Sequence, residues 1–235
     1  MKIELKPEVF ELAPHFHRGI VIAEGINNQG ESAELTELLR EAEAIVKSLS
    51  TPNDLSSVQS WDKVHRQFGS NPNKFPPAHK NLLKRVQKLE VQLPFISKVV
   101  AIMNIASLRL QIPVGGDDVE RAQSYGDALQ LRKATGQESF LPLGKDAKQE
   151  SPEPEELIYV VGNEVMCRRW NWRNSCQTLI SPDTSKIIMN VDCLGDSAAS
   201  NAKKGTELIL SLLTKFCEAS AKTHTLHINH PNLEF

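Results

Sequence analysis

No apolar run in this chain is long enough to cross a bilayer. The longest, near Ile96 to Ile112, is interrupted by Ser97, Lys98, Asn104, Ser107, Arg109 and Gln111, whereas a spanning helix needs about 20 mostly apolar residues in succession. The opening M-K-I-E-L-K-P holds no apolar core of the signal-peptide kind. A cytoplasmic location without membrane contact is the expectation. Neither sign of charge dominates: 27 basic against 29 acidic residues leave a net charge of -2. Any nucleic-acid contact must therefore come from a local basic patch. Cysteine is sparse. Cys167, Cys176, Cys193 and Cys217 form no C-x-x-C pair, which argues against a zinc site and leaves buried reduced thiols as the simpler reading. There is no G-x-S-x-G and no convincing Cys–His pair, so a classical nucleophile has no carrier. No cofactor is expected, and no metal. His224, His227 and His230, spaced by three, would point to opposite faces of a strand; an edge strand or a docked tail suits them better than a metal site.

What is present is an ordinary globular composition, with 235 residues, 40% hydrophobic and 24% charged. That is enough chain for a proper core, and no composition break marks a linker, so a single domain is expected. Gly19 to Glu24 reads as a buried strand, followed by an Asn- and Gly-rich turn to Gly30. Leu35, Leu38, Leu39, Ala42, Ile45, Val46 and Leu49 recur at helical spacing. A second helix takes Leu55, Val58, Trp61, Val64 and Phe68. A third, Pro77 to Leu89, opens on proline. One of its faces is Leu82, Leu83, Val86 and Leu89; the other carries His79, Lys80, Lys84, Arg85 and Lys88. That basic face is either a phosphate contact or a solvated surface. Phe95 to Leu110 is apolar on most sides and reads as a buried helix with Asn104 inside it, a polar group that needs partners.

At Ile112 to Asp118, I-P-V-G-G-D-D, the pair Gly115 and Gly116 would let a backbone approach a ligand, or simply mark a turn. Beyond Asp118 the period becomes strand-like: Leu129 to Ala134, then, after a long polar connection from Gly136 to Glu156, Leu157 to Val161, a Gly162-Asn163 hairpin turn, and Glu164 to Arg169. Lys186 to Leu194 is a further strand and Ala198 to Ala219 a closing helix. The class is α+β, helices followed by a mainly antiparallel sheet.

The most distinctive stretch is Glu164 to Ser175, E-V-M-C-R-R-W-N-W-R-N-S. Trp170 and Trp172 lie among Arg168, Arg169 and Arg173. Planar rings beside guanidinium groups suit contacts to bases, sugars and phosphates, and equally a core strand with Trp inside and Arg outside.

The order of these pieces resembles the editing and tRNA-binding domain of the bacterial phenylalanyl-tRNA synthetase beta subunit, in its standalone form. The resemblance spans roughly Gly19 to Leu213. It is carried by Asn104 with Pro113-Val114-Gly115-Gly116-Asp117, by Leu131-Arg132 with Gly136-Gln137-Glu138 and Leu143, by Leu157 to Gly162, by Arg168 to Arg173 as R-R-W-N-W-R, and by Thr184 to Asn190. The chain departs from the family pattern where Gly115 stands for a histidine, where Asn190 falls near a tyrosine-reading carboxylate, and where Arg168 to Trp172 replace a glycine-rich wall.

The resemblance implies hydrolysis of misattached amino acids from tRNA by holding the ester and a water, without a covalent nucleophile. Those departures make a deacylase of another mischarged tRNA, such as tyrosyl-tRNA(Phe), the alternative and not the first expectation. An acidic pocket with Asp117, Asp118 and Asp192 would suit a basic or strongly hydrogen-bonding side chain, and canavanyl-tRNA(Arg) is the sharpest substrate expectation. Asn104, Gly115 and Asp192 would serve catalysis. Asp117, Arg168, Arg169, Trp170, Asn171, Trp172 and Asn190 would bind the substrate. Lys80, Lys84, Arg85 and Arg173 would meet the tRNA acceptor end. No membrane and no obligate protein partner is implied. The competing classes are a noncatalytic tRNA-binding module, whose affinity would fall steeply with salt, and a small-molecule esterase or amidase that ignores tRNA.

Overall fold

A computed structural model describes residues 1–88, 90 and 92–235. The chain opens with β1 (Lys2–Leu5), α1 (Pro7–Leu12), β2 (His17–Glu24) and α2 (Ala33–Lys47). After a single 3-10 turn at Pro52–Asp54 come α3 (Ser56–Gln67), α4 (Ala78–Val86) and α5 (Lys98–Leu110). Then follow β3 (Val114–Asp118), α6 (Val119–Gln123), β4 (Ala128–Lys133), β5 (Leu157–Val161), β6 (Glu164–Arg168) and β7 (Arg173–Asn174). The chain closes with β8 (Lys186–Cys193), α7 (Ala198–Cys217), β9 (Ser220–Leu226) and β10 (Asn232–Glu234).

The α+β class stands. There are two sheets rather than one, and two strands precede the helical run. One sheet has the order β3-β8-β2-β9 and is antiparallel throughout. The other has the order β10-β1-β4-β5-β6-β7, antiparallel except for the parallel pair β1 and β4.

Both faces of the four-stranded sheet are covered, which is why β2 reads as an unbroken apolar run. Val21 and Ala23 point to a core shared with α2, α5 and α7, while Ile20 and Ile22, one residue out of phase, point to a second core between the two sheets. β8 divides the same way: Ile187, Met189 and Val191 face the helices and Ile188 faces the other sheet. Period two then assigns Arg18, Asn190 and Asp192 to the inter-sheet side. The helical side is tight. A Cβ on Gly19 would lie 2.6 Å from Cγ2 of Thr206 and 3.0 Å from the carbonyl oxygen of Ala202, so only glycine lets α7 sit this close to β2.

Three local expectations change. Gly115 and Gly116 lie in strand β3, paired with Asn190 and Met189 of β8, and not in a turn. The strand tolerates two glycines because β8 and the helices supply the packing that their side chains do not. The fourth helix begins at Lys98 rather than at Phe95, because Ser97 accepts a hydrogen bond from the Val100 amide at 3.4 Å and caps it there. Helix α4 ends at Val86, with Pro77 as its N-cap; Leu89, assigned to its apolar face from the sequence, lies outside the described residues. The long connection between β4 and β5 lays Phe140 against Ile158, Val160 and Val165 and covers the outer face of the six-stranded sheet. The C-terminal segment with His224 is the edge strand β9.

Candidate active site and tRNA groove

A cavity opens where the two sheets meet. Gly115, Gly116 and Asp117 of β3, Asn190 of β8 and Arg18 of β2 line it from one sheet; Tyr159 of β5, Cys167 of β6 and Asn174 of β7 line it from the other. Trp170 and Asn171, in the turn between β6 and β7, and Ala78 at the start of α4 complete the wall. Its water-accessible volume is about 60 Å³. Ala78, Val114 and Asn174 also line an outer groove, together with Asn81, Leu82 and Arg85 of α4, Asn104 and Ser107 of α5, and Trp172 and Arg173. The inner cavity and the outer groove therefore share a rim.

The floor is electrostatically organised. Arg18 donates through Nε and one terminal nitrogen to the two carboxylate oxygens of Asp192 at 2.7 and 2.8 Å, and both residues are buried. Burial works against the Arg18 charge, but the charge and hydrogen bonds of Asp192 more than offset it, and the guanidinium stays ionised. Asp117 accepts a hydrogen bond from the Thr178 hydroxyl at 2.6 Å. Burial pushes its carboxyl up to about 7, against the opposing pull of Thr178 and Arg18. The thiol of Cys167 and the phenol of Tyr159 are also pushed up by burial, so both are neutral near pH 7.

The turn that carries Trp170 is strained. Arg169 and Trp170 have φ of 47° and 65°, a left-handed pair without glycine, and each such residue costs about 1–3 kcal/mol unless its surroundings impose it. Glu156 imposes it. Its carboxylate accepts from Nε and Nη2 of Arg168 at 2.9 and 2.7 Å and from the Arg169 amide at 3.1 Å. The Arg169 guanidinium lies 3.1 Å from Glu153 and stacks over Phe75, 3.9 Å from the ring centroid. The Trp170 amide donates to the Leu157 carbonyl at 2.6 Å. Trp170 then packs edge-on against Phe16 and Trp61, at 5.1 and 5.2 Å between centroids. Next to it, Asn171 Oδ1 lies 3.1 Å from Nε2 of the buried His65. Burial pushes His65 down to about 4, so it is neutral near pH 7.

The expected site residues thus separate into groups. Gly115, Asp117, Trp170, Asn171 and Asn190 meet in the inner cavity. Asn104, half-buried rather than fully enclosed, joins Arg85, Trp172 and Arg173 on the outer groove. Three expectations are corrected. Asp192 is fully buried and held by Arg18, so it has no free oxygen edge for a substrate amine. Arg168 and Arg169 are buried struts on Glu150, Glu153 and Glu156, not contacts for substrate or RNA. Lys80 points inward to Asp62, at 2.6 and 2.9 Å, and is no tRNA contact; His79 beside it is buried as well. Of the basic helix face, Lys84 and Arg85 are exposed, and only Arg85 lines the groove. The acidic pocket shrinks too. Asp118 caps α6 through the Arg121 amide and accepts from Thr184, which leaves Asp117 as the one carboxyl on the cavity wall.

Sequence reasoning missed Arg18, Tyr159, Asn174 and the support from His65. For Arg18 a signal exists: it stands two and four residues before Ile20 and Ile22, in phase with the inward face of a strand. A charge there must be buried and paired.

A family model described as the B3/4 domain matches residues 60–217, more than half of the chain. The curated proteins contain no match. Among solved structures, an N-terminal fragment of the phenylalanyl-tRNA synthetase beta-subunit from Pyrococcus horikoshii is similar over 93% of this chain and 49% of that one, at 10% identity and a TM-score of 0.47. The chain spans about half of that fragment's length. Every residue lining the inner cavity except Arg18 falls within the matched span. Among the described residues no helix is long and apolar enough to cross a membrane. With more than half of its length, and nearly all of its cavity, accounted for by that model, the chain belongs to the B3/4 domain family.

Proposed function

We propose that this protein is a trans-editing aminoacyl-tRNA deacylase of the cytoplasm, which hydrolyses the ester of a mischarged tRNA without cofactor or metal. One observation carries the reading: a small cavity with one carboxyl on its wall among the described residues shares the rim of Ala78, Val114 and Asn174 with a groove that presents Arg85, Arg173 and Trp172. The groove fits a single-stranded acceptor end, with cations for phosphates and an indole for a base. The cavity beyond the rim receives part of what the end carries.

Asp117 is the group able to take a proton from water near neutral pH. As it does so, the water oxygen bonds to the ester carbonyl carbon. The bond from that carbon to the ribose oxygen then breaks, and the proton on Asp117 passes to the departing ribose hydroxyl. Gly115 keeps the approach open: a Cβ there would lie 3.2 Å from Oδ1 of Asn190, the residue opposite it in the ladder. Cys167 does not act as a nucleophile in this scheme, because its thiol stays protonated.

The finest reading of the substrate is canavanyl-tRNA(Arg). It draws on the family resemblance, and in the cavity it is supported by the side-chain amides of Asn174 and Asn190. The test is deacylation of tRNA(Arg) charged with canavanine or arginine, and of tRNA(Phe) charged with tyrosine or phenylalanine. Selective hydrolysis of the canavanyl ester is expected. Selective hydrolysis of the tyrosyl ester would keep the enzyme class and replace the substrate. Salt-sensitive tRNA binding with no turnover on any ester would replace the enzyme by a tRNA-binding module.

A further inference from the structure

Four residues that line the inner cavity each keep a buried hydrogen-bond donor with no partner among the described residues: Arg18 Nη1, Tyr159 Oη, Trp170 Nε1 and Asn171 Nδ2. Their residues are 1%, 3%, 1% and 7% exposed. Buried donors without acceptors are costly, and folded proteins leave few of them. Four around one cavity call for an acceptor that the chain itself does not supply.

Each donor is set from behind. Asp192 takes Nε and Nη2 of Arg18, which leaves Nη1 as the free edge. Neutral His65 donates from Nε2 to Asn171 Oδ1, so the amide nitrogen of Asn171 is the atom left over. The Trp170 ring is wedged between Phe16 and Trp61. The Tyr159 ring lies against the Arg18 guanidinium, 4.9 Å from centroid to carbon. Donors fixed in this way need no reorganisation when an oxygen arrives. Asp192 already balances the Arg18 charge, so the set suits a partly negative oxygen and does not need a full anion. At these four atoms a plain ammonium or guanidinium would find donors and a cation, and no acceptor.

We propose that the inner cavity binds the acyl part of its substrate through an oxygen acceptor held by Arg18, Tyr159, Trp170 and Asn171, and disfavours acyl groups that end in a plain cation. The inference rests on the deacylase reading and names its substrate class. Two oxygens of an aminoacyl ester answer the description: the carbonyl oxygen, which gains charge as water adds, and an oxygen within the side chain.

Tyr159→Phe tests it. The variant keeps the ring against Arg18 and loses only a hydroxyl without a partner, so folding is unaffected by the change. Wild type and variant are compared on tRNA(Arg) charged with canavanine and with arginine, near-isosteres that differ by an oxygen for a methylene. They are also compared in Kd for non-hydrolysable amide analogues of the two aminoacyl-adenosines. If the donors hold the side chain, kcat/KM and Kd worsen about ten-fold for the oxygen-bearing acyl group alone. If they hold the carbonyl, kcat falls about ten-fold on every ester hydrolysed while the KM values stay. Either result supports the proposal. It is overturned if Tyr159→Phe and Asn171→Ala, both folded by thermal unfolding, match wild type in kcat, KM and both Kd values; the donors then hold only water. A wild type that hydrolyses no ester but binds the oxygen-bearing analogue about ten-fold tighter than its isostere would remove the deacylase and keep this inference. Equal binding of the two without turnover, unchanged by Tyr159→Phe and Asn171→Ala, would remove both.

Discussion

Arg18 and Asp192 stand directly opposite each other in the β2–β8 ladder and close a two-pronged ion pair at 2.7 and 2.8 Å beneath the cavity. A buried pair of this kind contributes little net stability when whole, but losing one partner strands the other charge. Asp192→Ala should therefore lower stability by about 3–5 kcal/mol. The double variant Arg18→Met, Asp192→Leu should lose much less than the sum of its single changes. Urea unfolding of wild type, Asp192→Ala, the single variants Arg18→Met and Asp192→Leu, and the double variant measures this. A double variant as unstable as that sum would show that the pair is not coupled.

Asp117 makes opposite predictions for rate and for stability. As the general base, it requires the deacylation rate to rise as pH climbs through about 7, where its carboxyl ionises. For stability, its folded value lies above the ordinary carboxylate value of 3.8. The favourable contribution is complete below 3.8 and is lost as pH rises through about 7. Asp117→Asn should accordingly be inactive, more stable than wild type at pH 8, and close to wild type in stability at pH 4. A pH–rate profile and thermal melts across that range decide it.

The buried histidines give the reverse slope. Burial pushes His65 down to about 4 and His79 to about 3, from an ordinary 6.5. Above 6.5 both states are neutral and nothing is lost. As pH falls from 6.5 toward 4 and 3 the unfolded chain takes up protons that the folded chain refuses, and stability drops. His79→Leu should flatten this acid slope. Chemical denaturation at pH 7 and at pH 5 is the check; an unchanged slope would point to other groups.

Glu156 links the arginine-rich stretch to the cavity. Its carboxylate touches the Arg168 side chain and the Arg169 amide, and so sets the left-handed turn that carries Trp170 and Asn171. Glu156→Ala leaves two buried guanidinium groups short of a partner and should cost about 3–5 kcal/mol. In preparations that remain folded, turnover should fall while the salt dependence of tRNA binding stays as in wild type.

Arg85 and Arg173 should behave in the opposite way. Each lines the outer groove, and each phosphate contact removed from a single strand reduces the slope of log affinity against log salt by about 0.7. Arg85→Ala and Arg173→Ala should weaken tRNA binding at low salt with melting temperatures unchanged. Lys80→Ala should do the converse, destabilising the fold through Asp62 without altering that slope. Filter binding at several salt concentrations separates the two cases.

Much of the molecule was legible in the chain order. The helical spacing of Leu35, Leu39, Ala42 and Val46 does bury those residues against the sheet. The Gly162-Asn163 hairpin and the strands either side of it form as read. The resemblance holds at the level of the B3/4 domain. These features depend on residues near one another in sequence, or on an order of motifs that the sequence displays. Gly115, Asp117, Asn190, Trp170 and Asn171 could be picked out as a group because they fall at motif positions of the family that the chain resembles.

Which arginines were free could not be read there. Arg168, Arg169 and Arg173 look equivalent in R-R-W-N-W-R. A left-handed turn at Arg169 and Trp170 sends the first two to Glu150, Glu153 and Glu156 and leaves the third on the groove. In the same way Asp192 looked available until β2 placed Arg18 across from it, 174 residues away in the chain. Read from the chain alone, local periodicity carries the fold class, and the order of motifs that resembles a known family carries the family and the candidate residues. Only the tertiary structure decided which charges are spent on each other and which face the cavity. Ion pairs are closed by partners distant in sequence, and a buried charge takes whichever partner the fold brings to it.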